Sequence, residues 1–205
     1  MSLVETDWLE NNLSKVKLID CSWHLPKTSR NPHQEYLDQH LPNALFFDLD
    51  KNSDENSDLP HMLPSSKRWD EIVSDLGIED KDRIIVYDNS DLISSCRLWY
   101  TFIYFGHDPK LVSVLNGGFE KWQSERRPIT KEVIVFPKSH YISKEKKDLV
   151  KSKRQIEQNI ISHSHLMQFR NKDFGELMKV KVLLMLPIFI RLMVRSIKNV
   201  KPAFC

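Results

Sequence analysis

The chain has 205 residues, enough for one well-packed domain plus an extension. Hydrophobic residues make up 40% and charged residues 28%, with a formal net charge of +2, so the composition is that of an ordinary soluble protein and nothing marks a nucleic-acid binder. The opening MSLVETDWLENNLS carries Glu5 and no long apolar core, so neither a secretory signal nor a transit peptide is visible and the cytoplasm is the expected location. Cys21, Cys96 and Cys205 share no close spacing, which argues against a disulfide framework or a zinc site, and no metal or other cofactor is expected.

In chain order, Thr6 to Leu13 reads as a short helix capped by Thr6, and Val16 to Asp20 as the first strand. Pro26, Pro32 and Pro42 break the next stretch, leaving room for a short helix around Gln34 to Gln39 and a second strand at Leu45 to Phe47. A polar loop from Asp48 to Asp58 runs into the proline-bounded turn LPHMLP. Ser65 or Ser66 then caps an amphipathic helix with Trp69, Ile72, Val73 and Leu76 at i, i+3, i+4 and i+7, ended by Gly77. Arg83 to Tyr87 is rich in β-branched and aromatic side chains and reads as a buried strand. After a polar loop, Ser94 or Ser95 caps a helix so apolar from Leu98 to Phe105 that it must be covered on most sides, and Gly106 stops it. Leu111 to Leu115 is a strand covered on both faces; Gly117 and Gly118 allow a sharp turn, and Phe119 to Arg126 is a short helix. Strands separated by helices predict an α/β domain with a parallel sheet and helices on both faces, spanning residues 1 to 130. The strand, loop and helix around Asp88 form a unit in which backbone N–H groups converge at a helix N-terminus, where an anion or a nucleophile is accommodated.

From Lys131 to about Lys147, Lys, Ser and Glu dominate, as in a surface linker, and Asp148 to Asn159 could begin another helix. A chain ending near Thr130 is therefore expected to behave better than the whole. From His163 on the chain shows no coherent period, and residues 160 to 205 form a tail. The apolar run Val182 to Val194, interrupted by Pro187 and Arg191, has 13 residues against the roughly 20 needed to span a bilayer, so integral membrane insertion is not expected. His163 and His165 lie in this tail and are not expected to bind metal.

The strings DCSWHLP, EYLDQHLPNALFFDLD, LPHMLP, YDNSDLISSCRLWYTFIYFGH and VLNGGFEKW, in this order, closely resemble the N-terminal half of the two-domain rhodanese-like sulfurtransferases of the thiosulfate and 3-mercaptopyruvate type. The resemblance covers residues 1 to 130. It implies a rhodanese-like α/β domain of the non-catalytic N-terminal kind, with residues 131–159 as linker and start of a second domain. In that family a catalytic second domain carries a cysteine that takes up sulfane sulfur as a persulfide and passes it to a thiophile. That chemistry needs a thiolate, which converging backbone N–H groups supply by lowering the thiol pKa. Beyond residue 159 the resemblance ends, and the tail reads as aberrant, disordered or the product of a shifted reading frame, so that the chain is expected to be truncated before the catalytic domain.

By this resemblance Asp88 stands in the position of the sulfur-carrying cysteine, and a carboxylate cannot store a sulfane sulfur. No catalytic residue is therefore expected in the chain. Cys96 reads as a small core residue. Asp50 and His61 match positions near the inter-domain active site of the mercaptopyruvate branch and are candidate substrate-binding residues, with pinning of the proline-bounded turn as the alternative role for His61. Arg97, at the start of the buried helix, is a third candidate, expected to bond loop carbonyls or Asp88. The expectation is a sulfurtransferase family member, inactive alone, that would meet a small-molecule sulfur donor only if a separate catalytic half were supplied. The alternative is an inactive rhodanese domain acting as a protein-binding module. A one-domain phosphatase of related fold needs a Cys-initiated loop ending in Arg, and Asp88 begins this one.

Overall fold

The computed structural model describes residues 3–164. Five parallel strands form one sheet in the order β1-β5-β4-β2-β3, with β1 at Leu3–Val4, β2 at Lys17–Asp20, β3 at Ala44–Phe46, β4 at Ile84–Tyr87 and β5 at Val112–Leu115. The helices α1 (Thr6–Glu10), α2 (Pro32–Asp38), α3 (Ser66–Asp75), α4 (Ser94–Tyr104) and α5 (Gly118–Ser124) connect them. The register sets Leu18 beside Ile85 and Asp20 beside Tyr87. These side chains share one face of the sheet, and Leu18, Ile85 and Tyr87 join Leu9, Tyr36, Phe119 and Trp122 in one core cluster, which brings in α1, α2 and α5. On the other side Trp69 of α3 stacks on Phe105 and meets Phe102 of α4 edge-on. Residues of β4 and β5 are buried on both faces, which is why these strands are unbroken runs of apolar residues apart from Ser113.

The strand and helix expectations hold with small shifts of boundary, and three points are corrected. The first helix is α1, with Glu5 rather than Thr6 at the N-cap position and no side-chain capping bond: the Thr6 hydroxyl instead donates to Glu125 Oε2 at 2.6 Å, beside Arg127, which pairs with Asp7, Glu10 and Glu125. Neither Ser94 nor Ser95 caps α4, because Ile93 occupies the N-cap in the left-handed region and the capping acceptor comes from Asp88. The compact unit runs to Leu149, not to 130. Its last part is an extended strap laid on the α3–α4 side. Ser139 N–H donates to Ser74 O, Tyr141 N–H to Ser74 Oγ, Ser143 N–H to Asp70 Oδ1 and Lys144 N–H to Phe105 O. Tyr141 is 3% exposed, with its hydroxyl against His107 Nδ1. Polar composition suggested a linker, but this strap is held mainly through its backbone, which composition does not report.

A second unit, Val150–Cys205, contains α6 at Lys153–Ser164. Ser152 and Gln155 close its start reciprocally, Gln155 N–H to Ser152 Oγ and Ser152 N–H to Gln155 Oε1, a capping box. The apolar run Val182 to Val194 and His165 lie outside the described residues. Among the described residues no helix is long and apolar enough to cross a membrane, and no group of His, Cys, Asp and Glu is placed to hold a metal ion.

Candidate functional site

The loops after β2, β3 and β4 meet at the C-terminal end of the sheet, where parallel α/β folds place their sites. The loop from Asp88 to Ile93 turns directly into α4. Asp88 is 8% exposed and bends under the helix: its Oδ2 accepts from Ser95 N–H at 2.5 Å, and its Oδ1 lies 3.4 Å from Ser90 N–H. Burial pushes its carboxyl above the ordinary range, opposed by these donors from Ser95, Ser90 and Ser94. The position where N–H groups converge is thus filled by the protein's own carboxylate. Behind it, Phe119 N–H donates to Asp88 O at 2.9 Å, and Gly118, at φ +55°, lies so close that a Cβ there would stand 2.5 Å from that oxygen.

The two described cysteines flank this place and neither is activated. Cys96 is 4% exposed, and burial together with the charge of Asp88 pushes its thiol up to about 12. Cys21 is fully buried, points its Sγ at Ser94 O at 3.8 Å, and has its thiol pKa driven upward by burial, then by Asp88 and Asp20. Both sit in surroundings that disfavour the thiolate. Cys96 should accordingly react slowly with a thiol reagent in the folded protein and fast after denaturation; equal rates would mean that the α4 surface is open to solvent.

Asp50, His61 and Arg97 come together in a second cluster. Asp50 Oδ1 is 2.7 Å from His61 Nε2, and the Trp23 indole N–H donates to both Asp50 oxygens at 3.0 and 3.1 Å. Trp23 and His61 meet edge-on at 4.6 Å. Arg97 donates to the His61 carbonyl at 2.5 Å, as expected of a residue bonding loop carbonyls, and holds His61 at φ +56°. The predicted link from Arg97 to Asp88 is not formed: Asp88 is satisfied by α4 and the guanidinium reaches across to the LPHMLP turn. The His61 ring is tied to Asp50, and its side chain is about a quarter exposed.

Sequence reasoning missed a third group, on the other face of the sheet. Asp20, 4% exposed at the end of β2, accepts from Ser22 Oγ at 2.5 Å and Ser22 N–H at 2.9 Å, and Asn89 N–H in turn donates to Ser22 Oγ at 2.8 Å. Burial pushes the Asp20 carboxyl up to about 6, against the Ser22 and Tyr87 hydrogen bonds that lower it. Beside it a cavity of about 140 Å³ is lined by Asp20, Glu35, Tyr36, Asp38, Asn89 and Phe119 among others. Glu35 pairs with Arg30 and with His24 at 3.1 Å, and accepts from Asn89 Nδ2. The signal was present as Asp-x-Ser at a strand end, a spacing at which the carboxylate can bond the amide two residues on.

A parallel sheet covered by helices, with a loop that turns from a strand end into a helix N-terminus, defines an α/β domain built around an anion-accepting cradle. The family model described as "Rhodanese-like domain" matches residues 5–125, and the chain belongs to that family. It is 45% identical over 124 residues to thiosulfate/3-mercaptopyruvate sulfurtransferase 1, mitochondrial, of Arabidopsis thaliana, covering 60% of this chain and 32% of that protein. It is 35% identical over 169 residues to thiosulfate sulfurtransferase of Rattus norvegicus, covering 78% of this chain and 56% of that one. Among solved structures it is similar to SseA from Escherichia coli, described with the rhodanese fold and catalytic mechanism of 3-mercaptopyruvate sulfotransferases. The TM-score is 0.71 at 30% identity, covering 80% of this chain and 62% of the other. The matches span from about a third to somewhat more than half of the length of these curated relatives.

Proposed function

We propose that this domain serves as the non-catalytic half of a sulfurtransferase of the thiosulfate or 3-mercaptopyruvate type and carries no sulfur itself. The observation that carries the reading is Asp88: the cradle that suits a thiolate holds a carboxylate already satisfied by Ser95, and a carboxylate forms no persulfide. The buried, unactivated thiols of Cys21 and Cys96 support it. Asp50 and His61 on the β3–α3 loop, with Arg97 of α4 bonded to the His61 carbonyl, are its contribution to a composite site, where His61 and Asp50 meet a sulfur donor held by the catalytic half.

The purified chain should show no thiosulfate:cyanide or mercaptopyruvate sulfurtransferase turnover above a heat-killed control, and a catalytic rhodanese domain supplied as a separate chain should gain activity in its presence. Turnover by the chain alone that disappears in Cys96→Ser would sink the reading. A binding module without a part in sulfur transfer is the second reading, favoured by the exposed Leu25, Leu59, Met62 and Leu92 on loops after β2, β3 and β4. Binding of a catalytic domain without any gain in turnover would select it.

A further inference from the structure

The loop from Asp88 to Ile93 is held from below by a chain of hydrogen bonds that begins at a buried carboxylate. Asp20 Oδ1 accepts the Ser22 hydroxyl hydrogen at 2.5 Å, which leaves the Ser22 oxygen free to accept Asn89 N–H at 2.8 Å. The next residue continues the tie: Ser90 Oγ donates to Trp23 O at 2.5 Å and accepts from Leu92 N–H at 3.2 Å. Arg30 Nη2 reaches Asn89 O, and Asn89 Nδ2 reaches Glu35. Leu92, at the far end of the loop, stands 44% exposed, with Leu25, Leu59 and Met62 also exposed on the neighbouring loops.

We propose that Asp20 is a positioning residue that, through the Ser22 hydroxyl, fixes the backbone of Asn89 and so presents the loop carrying Leu92 to a partner domain. The partner is the catalytic rhodanese domain of the proposed function, and the docking part of the inference rests on that reading. The fold alone does not call for an ionisable group at Asp20. Tyr36, Tyr87 and Asp88 surround it, and burial sets its pKa unfavourably, so a neutral side chain of similar shape would serve the core better. What the Asp20 side chain supplies is an acceptor oxygen at Oδ1 that obliges the Ser22 hydroxyl to point its hydrogen downward and its lone pairs at the loop.

The test is amide hydrogen exchange at Asn89, Ser90 and Leu92 in the full chain, together with affinity for a separately purified catalytic rhodanese domain. Ser22→Ala should speed exchange at Asn89 roughly fivefold, the loss of one net hydrogen bond, and weaken docking by a similar factor. Amides of Ile85 and Val86 should stay as in the parent. Asp20→Leu should reproduce the Ser22→Ala behaviour, whereas Asp20→Asn, which keeps the Oδ1 acceptor, should retain the parent's loop protection. Unchanged exchange at Asn89 in Ser22→Ala would overturn the relay, and a loosened loop with undiminished docking would overturn its positioning role. If the parent chain does not bind a catalytic domain at all, the proposed function falls, and the exchange data still decide by themselves whether Asp20 holds the loop.

Discussion

Asp20→Asn should leave stability almost unchanged at pH 4 and raise it by up to about 3 kcal/mol at pH 8. The reason is the gap between the ordinary carboxyl value of 3.8 and the value of about 6 that burial imposes on Asp20 in the folded protein. Between those values the folded state still holds a proton that the unfolded chain has released. Stability therefore falls as pH climbs through that window, and the loss is complete above it. Asparagine has no proton to lose and keeps an oxygen for the Ser22 hydroxyl and amide. Asp88, whose carboxyl is also pushed up, adds its own loss with the same sign in both proteins. Removing the Asp20 charge also relieves Asp88, which moves the difference in the same direction. Urea unfolding of parent and variant at a series of pH values, with equal m-values, measures the effect. Parallel curves from pH 4 to pH 8 would show that Asp20 is hydrated and that the cavity beside it is open to bulk water.

The elements that could be read from the sequence were those whose burial is written in side-chain period. α3 shows its stripe of Trp69, Ile72 and Val73, and Ser65 caps it through a 3.3 Å bond from Arg68 N–H, as the spacing implies. β4 and β5 were legible because both faces are covered. β1 was not, since two residues carry no period and the strand exists only through pairing with β5. The cap of α4 was misassigned for a similar reason: proximity in sequence favoured Ser94 or Ser95, whereas the acceptor is Asp88, seven residues before the amide it binds. In the candidate site, Asp50 and His61 stand out only through the family resemblance, and no local pattern shows that they meet across the β3–α3 loop or that Arg97 reaches the His61 carbonyl from α4. Asp20 was passed over because a lone acidic residue closing an apolar strand looks like the first solvated position after it. Its surroundings, Ser22, Tyr36, Tyr87 and Asp88, come from other stretches of the chain as well as its own, and they turn it into a buried carboxylate.

A chain ending at Thr130 should be less stable than one ending at Leu149 by more than about 3 kcal/mol, reversing the expectation drawn from composition. Residues 131 to 149 do not hang from the domain. They cover its α3–α4 side, and cutting them away strips Tyr141 from His107 and leaves the carbonyls of Ser74 and Phe105 without the amides of Ser139 and Lys144. Lys17 loses the Phe136 ring, which lies 3.4 Å from its ammonium. The close fit at Gly77, where a Cβ would stand 2.5 Å from Phe136 Cβ, shows how tightly the strap is seated on the end of α3. His107 faces the Tyr141 hydroxyl through Nδ1 and the Asp82 carbonyl through Nε2, and burial lowers its pKa; without the strap it is opened to water. Urea midpoints of the two shortened chains decide the matter, and Tyr141→Ala in the full chain should reproduce a large share of the loss. Equal midpoints for chains ending at Thr130 and Leu149 would mean that the strap contributes no net stability despite its contacts, because ordering it costs as much as they return.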